Sequence, residues 1–416
     1  MVNIALLGHG VVGSGVVEVL TQNCESITKR AKERIEIKYI LDKREFNDSQ
    51  FAEKFTKNYS DILNDDDIKI VVEVMGGLSP AYEYVKEALL KGKSVVTSNK
   101  ELVAEKGHDL LKIANEKNCN FLFEASVGGG IPIILPIHQC LAANEVIEIA
   151  GILNGTTNFI LTKMIHDNVS FNEALKMAQE LGYAERDPSA DIDGDDACRK
   201  ICILASLAYG KHVYPENVHV VGIRDIDIKD VKYAKECDCV IKLIGRVKKL
   251  NDGKLEIEVE PMLVSNNSQL AGVEDVFNGI LVRGDSTGDV VFYGKGAGKL
   301  PTASAVVADI IECIKHFDTR KYLFWDDSDE QYIKDYNEYE TSLYVRVSYN
   351  STCTCDCINE IKKQLEVSKF IDLCHSEENE IAFITKKSKF KDINESLKNL
   401  ENSGIAVLSK IKMGDF

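Results

Sequence analysis

The stretch ALLGHGVVGSGVV, residues 5–17, decides the fold of the first third of this chain. An apolar strand runs into Gly8, Gly10 and Gly13, spaced GxGxxG, and the helical run VVGSGVVEVL follows. Each glycine has its own physical reason. The first permits a tight turn, the second lets the backbone approach a pyrophosphate, and the third lets helix and strand pack closely. The free N–H groups around Val11 and Val12 then present the positive end of a helix dipole to an anion. GxGxxG alone is a weak signal, but between a strand and a helix it reads as a dinucleotide turn rather than a bare corner.

Outward from this turn, short β-branched runs alternate with amphipathic helical runs up to about residue 150. NIALLG, IEIKYIL, IKIVVEVMG, SVVTSN and CNFLFEAS read as strands, PAYEYVKEALLKG and ELVAEKGHDLLKIANEKN as helices. Such alternation specifies an α/β fold of the Rossmann type, a parallel sheet covered on both faces with ligands beyond the carboxyl ends of its strands. From about 146 the texture changes: VIEIAGILN leads into three helical runs, then CVIKLIGRV, KLEIEVEPMLV, GILVRG and DVVFYG read as strands of an α+β domain. TASAVVADIIECIKH follows a glycine-rich turn and is expected to return to the first domain. Residues 318–340 are acidic and aperiodic, and the remainder reads β, α, β, β, α, β, a ferredoxin-like order. The expected division is 1–134 (with 300–317 packing back on it), 135–317, a linker 318–340, and 341–416.

Lys+Arg 50 against Asp+Glu 66 gives a net charge of -16, which reads against nucleic-acid and membrane partners. Any anionic ligand must therefore meet a local positive feature. The first residues carry no basic stretch before their apolar run, and no apolar segment approaches the ~20 residues of a spanning helix. The 12 cysteines are scattered rather than set out as a disulfide framework, and read as reduced thiols of a cytoplasmic protein. CTCDC, with Cys374 and His375 downstream, lacks the CxxC pair of a zinc site.

Cofactor choice is read at the end of the second strand, Asp42-Lys43-Arg44. An acid there would bond the ribose hydroxyl of NAD, and Lys43 or Arg44 would pair with the 2′-phosphate of NADP. Both residue types are present, and the reading leans to NADP while allowing dual use.

Four further stretches narrow the chemistry: VTSNK (96–100), EASVGGGIPI (124–133), GILNGTTNFIL (151–161) and LGYAERDPSADIDGDDACRK (181–200). Together with the glycine turn and YGKGAGKLPTASAVVADII (293–311), they closely resemble homoserine dehydrogenase. That family interconverts L-aspartate 4-semialdehyde and L-homoserine with NAD or NADP, on the route to threonine, methionine and isoleucine. The resemblance implies a cofactor domain, a substrate-binding and dimerisation domain, and a C-terminal domain similar to the ACT regulatory type.

Hydride transfer onto an aldehyde builds negative charge on oxygen, which calls for a positioned cation or proton donor. Lys200 has Asp196 four positions earlier on one helical face; spacing alone makes this a surface pair worth ~0.3–0.5 kcal/mol. The resemblance implies instead that Asp196 and Lys200 form the catalytic pair. Lys100, a lysine at a helix start where positive charge is disfavoured, is implied to lie between cofactor and substrate. Which lysine delivers the proton stays open, with Lys200 favoured by its carboxylate.

Of the crowded acids at 185–196, the resemblance assigns Glu185 and Asp191, with Tyr183 beside them, to the substrate ammonium. Gly155 and Thr156 start a helix whose N–H groups suit the substrate carboxylate. Asn99, Lys100 and Gly296 are implied to face the cofactor. Main-chain oxygens of Glu124, Val127, Gly129 and Ile131 are implied to hold a monovalent cation, Na⁺ or K⁺, in a glycine run that equally reads as a hinge.

The expected assembly is a homodimer, with a tetramer through the C-terminal domain as the alternative. Its turn NSTCTCDCINE lacks the DxPG-like element of amino-acid-binding ACT domains, so an effector role stays open beside a dimerising one. Two alternatives remain: a catalytically silent amino-acid sensor on a nucleotide-binding scaffold, and another amino-acid or semialdehyde dehydrogenase. The phosphorylating kind of the latter needs an activated cysteine, for which no position stands out.

Overall fold

The computed structural model describes residues 1–46, 51–319, 321, 323–328, 331–349, 354–371 and 379–416. The first unit comprises β1 (Val2–Leu7), α1 (Val11–Gln22), α2 (Cys24–Ala31), β2 (Ile35–Leu41), β3 (Phe55–Thr56), α3 (Tyr59–Leu63), β4 (Ile68–Glu73), α4 (Ala81–Leu90), β5 (Ser94–Thr97), α5 (Lys100–Glu116) and β6 (Phe121–Leu122). Its sheet is parallel throughout, in the order β3-β2-β1-β4-β5-β6. Both faces are covered, so Ile4, Ala5, Leu6 and Leu7 are all fully buried, and the strands read as unbroken apolar runs. The charged stretch after α1 forms a helix of its own, α2, and this places Asp42 farther from Gly13 than the usual ~20 positions.

At the turn after β1, Gly8 has φ 98°, and a Cβ on Gly13 would lie 2.1 Å from the Gly8 carbonyl oxygen. The first glycine thus needs its backbone freedom and the third needs its missing side chain. Nothing lies within 4 Å of a Cβ built on Gly10, so the space over the start of α1 is open.

The second unit comprises β7 (Val146–Ile152), α6 (Gly155–Asp167), α7 (Phe171–Glu180), α8 (Ser189–Ile192), α9 (Asp195–Tyr209), β8 (His219–Val220), α10 (Ile228–Glu236), β9 (Cys239–Lys249), β10 (Leu255–Ser265), β11 (Phe277–Gly284), β12 (Gly288–Lys295) and α11 (Lys299–Lys315). The strand path β12-β11-β7-β9-β10 is antiparallel, with the short β8 parallel to β10, so the sheet is mixed. α11 leaves this unit and packs on α1, where a Cβ on Gly15 would meet the Lys299 carbonyl at 2.8 Å. Ala303, Val306 and Ile310 of α11 share one buried cluster with Ile4, Leu6 and Val16.

The last unit comprises β13 (Glu340–Thr341), β14 (Leu343–Tyr349), α12 (Thr354–Gln364), β15 (Val367–Ile371), β16 (Glu380–Thr385), β17 (Ser388–Lys389), α13 (Phe390–Asn402) and β18 (Ile405–Met413). Its strands lie in the order β18-β14-β16-β15, all antiparallel, and β18 pairs in parallel with β10 through Met262–Lys412 and Leu263–Met413. The sheet is therefore continuous with that of the second unit. The described residues of the acidic stretch 318–340 pack as a strap between the units, with Trp325, Tyr332 and Tyr339 buried. No helix among the described residues is long and apolar enough to cross a membrane.

Candidate active site

Asp196 is the hub of a charged cluster assembled from both units. Gly194, at φ 94°, starts α9 so that Asp195 and Asp196 fall in its first turn, where carboxylates meet the positive end of the helix dipole. Asp196 is 3% exposed. Its Oδ2 accepts from Lys200 Nζ at 2.7 Å and from Asn154 Nδ2 at 2.8 Å, while Oδ1 pairs with the Lys100 ammonium. Lys200 Nζ also donates to the Leu153 carbonyl at 2.7 Å. An ammonium has three N–H donors, so these two acceptors leave Lys200 one for a ligand. Lys100 is the first residue of α5, behind the N-cap Asn99, whose side chain accepts from Leu102 N–H. The electrostatic cost of a lysine at that position is offset by its ion pair across the domain boundary.

Burial and charge act in opposite senses on the three groups. Burial alone would raise the Asp196 carboxyl, but Lys200 and Lys100 outweigh it and hold it well below the carboxylate range. Burial likewise pushes Lys100 down, and Asp196 reverses the sign, so Lys100 stays charged above the ordinary lysine value. For Lys200 burial wins over Asp196, and with Lys100 adding repulsion its ammonium is the more acidic of the two.

The acids at 185–196 divide. Asp191 accepts from Asn154 Nδ2 at 2.7 Å, and burial together with Asp196 raises its carboxyl. Asp193 pairs with Arg224, and Asp187 accepts from Ser189, so both are engaged locally. Glu185 is exposed, outside the Asp196 cluster, with its main-chain oxygen accepting from Gln179. Tyr183 is 45% exposed; its carbonyl accepts from Thr156 Oγ1 at 2.7 Å, and its ring packs on Phe159. The N-cap of α6 is Asn154: it accepts from Thr157 N–H while its amide donates to Asp191 and Asp196. Asn154 was not singled out in the sequence, although Asn before a helix start is a readable cap signal.

At the cofactor end, Val11 is exposed over the open space at Gly10, and α1 has no side-chain cap, which leaves its first N–H groups for an anion. Arg44 makes a two-pronged contact with Asp42 at 3.0 and 2.9 Å and donates to the His9 carbonyl at 2.9 Å. These bonds from Arg44 hold the Asp42 carboxyl well below its usual range. Lys43 is exposed. Asn99 Nδ2 donates to the Gly77 carbonyl at 2.6 Å, at the carboxyl end of the sheet.

The glycine run packs directly on the turn before α11: a Cβ on Gly129 would lie 2.4 Å from the Gly296 carbonyl, and one on Gly296 would strike the Asn278 amide. The Glu124 carboxylate is taken up by the N–H groups of Ile133, Ile134 and Leu135, leaving only its main-chain oxygen for a cation. Gly128 and Gly129 have φ 73° and 56°, a conformation that turns successive carbonyls about the loop. The stretch from Val127 to Ile131 is a tight turn, closed by the Ile131 N–H donating to the Gly128 carbonyl at 2.8 Å. No group of three or more His, Cys, Asp or Glu among the described residues is arranged to hold a metal. Cys353, Cys374 and His375 lie outside those residues, while Cys355 and Cys357 stand on α12 rather than on a strand or turn. Burial pushes the thiols of Cys119, Cys239 and Cys357 up to about 11.

A cavity of about 400 Å³ behind β6, lined in part by Phe121, His138 and Asp309, includes none of the Asp196 cluster. Charge convergence, not cavity size, marks the site.

Comparison with known proteins agrees with this geometry. Residues 8–124 match the family model "Homoserine dehydrogenase, NAD binding domain", and residues 132–311 match "Homoserine dehydrogenase". The homoserine dehydrogenase of Synechocystis sp. is 46% identical over 322 residues, 75% of this chain and 73% of that protein. The crystal structure of a homoserine dehydrogenase from Thiobacillus denitrificans aligns over 100% of this chain and 98% of its own, at 34% identity and TM-score 0.90. A hyperthermophilic archaeal homoserine dehydrogenase in complex with NADPH aligns over 77% of this chain and 99% of its own, at 30% identity and TM-score 0.66.

Proposed function

The chain belongs to the homoserine dehydrogenase family, and from that premise we propose how its residues carry the reaction. It is an NAD(P)-dependent oxidoreductase of amino-acid biosynthesis that interconverts L-aspartate 4-semialdehyde and L-homoserine. The bound nicotinamide nucleotide supplies or accepts the hydride. In the direction of reduction, charge develops on the aldehyde oxygen, and the protein must meet it with a cation and a proton. Lys200 is the donor: burial makes its ammonium the more acidic, and it keeps one N–H uncommitted. Lys100, held charged by Asp196, is the fixed cation. Asp196 orients both and takes no proton. The substrate ammonium is met by Asp191 and Glu185, with Tyr183 at the rim, and the substrate carboxylate by the start of α6 at Gly155 and Thr156. The convergence of Lys100 and Lys200 on Asp196, from helices of two different units, carries this reading.

The cofactor lies over Gly8, Gly10, Val11, Val12 and Gly13, with Asn99, Lys100 and Gly296 at its nicotinamide end. Arg44, occupying Asp42 and reaching solvent, favours NADP, with Lys43 beside it. The turn Glu124–Val127–Gly129–Ile131 takes a monovalent cation through main-chain oxygens. Domain boundaries near 134, 317 and 340 follow the three units, the last of ACT-like β-α-β-β-α-β order, in a cytoplasmic homodimer formed through the sheet of the second unit.

The decisive experiment follows nicotinamide absorbance with homoserine and each cofactor in turn, with Lys200→Ala as control. Turnover by the wild type and a loss of about a thousandfold or more in the variant are expected; equal inertness of the two would overturn the reading. Arg44→Ala is expected to raise KM for NADPH about tenfold while leaving that for NADH within about twofold, since it removes a charge-assisted phosphate contact and frees Asp42. Steady-state kinetics with both cofactors check it.

A further inference from the structure

We infer that Trp325, in the strap that joins the C-terminal unit to the rest, is a positioning residue that sets how α5 and α9 sit against each other and so holds Lys100 against Asp196. The inference rests on the roles proposed above for Lys100, Asp196 and Lys200.

Trp325 is the only tryptophan of the chain and is 1% exposed. Its ring fills a notch on α5 that exists because residue 107 is glycine: a Cβ there would lie 2.6 Å from Trp325 Cζ2. The indole Nε1–H donates to His212 Nδ1 at 2.9 Å, just beyond the end of α9. The strap backbone makes the same connection: Asp326 N–H donates to the Gly210 carbonyl at 3.0 Å, and His212 N–H to the Asp326 carbonyl at 2.8 Å. His108 of α5 approaches the Trp325 carbonyl at 3.1 Å, and the indole meets Phe123 edge-on at 5.6 Å, beside the chain's exit from the first unit. One side chain is thus clamped to both helices and to the crossover between the units.

At their N-terminal starts the same two helices are joined by Lys100–Asp196 and by Arg199–Glu101 at 3.6 Å. Gly107 stands seven residues after Lys100, roughly 10 Å along α5. Two close-packed helices tied at two levels move as a pair, so thickness added at the Trp325 level is felt at the charged level. A displacement of ~1 Å among reacting groups can cost ~10²-fold in rate. The cofactor turn lies at the start of α1, on another part of the sheet, and has no share in this clamp.

The test uses the full chain and three variants: Gly107→Ala, Trp325→Phe and their combination. Alanine is the better helix former, so the first variant does not weaken α5 itself; what it introduces is the clash with Cζ2. Gly107→Ala is expected to lower kcat about tenfold with KM for the nicotinamide nucleotide within about twofold. Trp325→Phe, whose smaller ring does not reach the notch and which loses the bond to His212, is expected to lower kcat about threefold, again with KM within about twofold, and an unchanged kcat would overturn the role. The double variant is expected to recover most of the lost kcat, because the added methyl then has room. A folded Gly107→Ala with wild-type kcat would overturn the proposal, and so would a loss that Trp325→Phe does not relieve or one that spreads equally to KM. Should Gly107→Ala fold poorly, His212→Leu tests the other half of the clamp: a kcat-only loss supports the role, and unchanged kcat overturns it. Lys200→Ala, run in parallel, separates the premises. Turnover surviving there sinks the active-site reading, whereas an inert Lys200→Ala beside an unaffected Gly107→Ala sinks only the positioning role.

Discussion

Asp196 shows how far a single residue's meaning depends on its surroundings. Its spacing from Lys200 was plain in the sequence, yet spacing alone assigns that pair a few tenths of a kcal/mol on a solvated face. Burial changes its meaning, because an ion pair out of water must satisfy every member, and Asn154, the Leu153 carbonyl and Lys100 do so here. Lys100 is distant in sequence and no periodicity links it to Asp196; only the resemblance brought the two together before the structure did. Asp196→Asn removes the one negative charge between two ammonium groups. The charge of Asp196 raises Lys200 against its burial, so its loss lowers Lys200 further. A proton donor must be protonated to act, hence the alkaline limb of kcat for semialdehyde reduction should move to lower pH, with kcat down about a hundredfold. A pH–rate profile checks this, and a limb that stays in place would mean that the titrating acid does not touch residue 196.

At the scale of elements, the alternation of strand and helix around the glycine turn was legible because parallel strands buried on both faces are unbroken apolar runs. The second helix α2, the short β3 and α10 were not, since short charged segments carry little periodic signal. The strap was the larger surprise. Its acidic composition reads as solvated, but the information lies in three aromatic residues, Trp325, Tyr332 and Tyr339, whose seven-residue spacing is too sparse to announce an element and whose partners come from elsewhere in the chain. His212, the acceptor for Trp325, gives this element a pH dependence. Burial depresses its imidazole from 6.5 to about 4, so between those values the unfolded chain binds a proton that the folded one does not. The stabilisation is complete above about pH 6.5 and is lost as pH falls toward about 4, a difference on the order of 1–3 kcal/mol. Protonation also removes the lone pair that accepts from Trp325 Nε1. Urea titrations at pH 7.5 and 4.5 should differ by that amount, and the indole emission, with a single source, should shift before global unfolding at the lower pH. His212→Phe should flatten both effects.

Across the whole molecule the sheet transmits charge as well as shape. A row of alternating ion pairs crosses six strands: Asp289 to Arg283 to Glu148 to Arg246, then Glu258 and Lys412 on β18. Lys412 lies between Glu258 and Glu260, and burial with the nearby Glu258 carboxylate pushes Glu260 up to about 8. None of this row was readable in advance, because each residue is an ordinary charged residue of its strand until register brings it to its neighbour. Its location matters: the C-terminal unit joins β10 by only two residue pairs, Met262–Lys412 and Leu263–Met413, so Lys412 is both a backbone partner and the only lysine that the row places against two buried carboxylates. Lys412→Met keeps the volume and the backbone pairing but leaves Glu260 without its cation and Glu258 with Arg246 alone, at 3.8 Å. Breaking a buried pair in this way costs ~3–5 kcal/mol, and the cost falls at the junction rather than within either core. The wild type should therefore lose activity and Trp325 emission in one urea transition, whereas Lys412→Met should show two, the far-ultraviolet signal of the C-terminal unit disappearing before activity. Adding Glu258→Gln, which removes the carboxylate that faces Glu260, should bring the two transitions back together. A wild type that already unfolds in two steps would show that the row does not bind the units into one cooperative body.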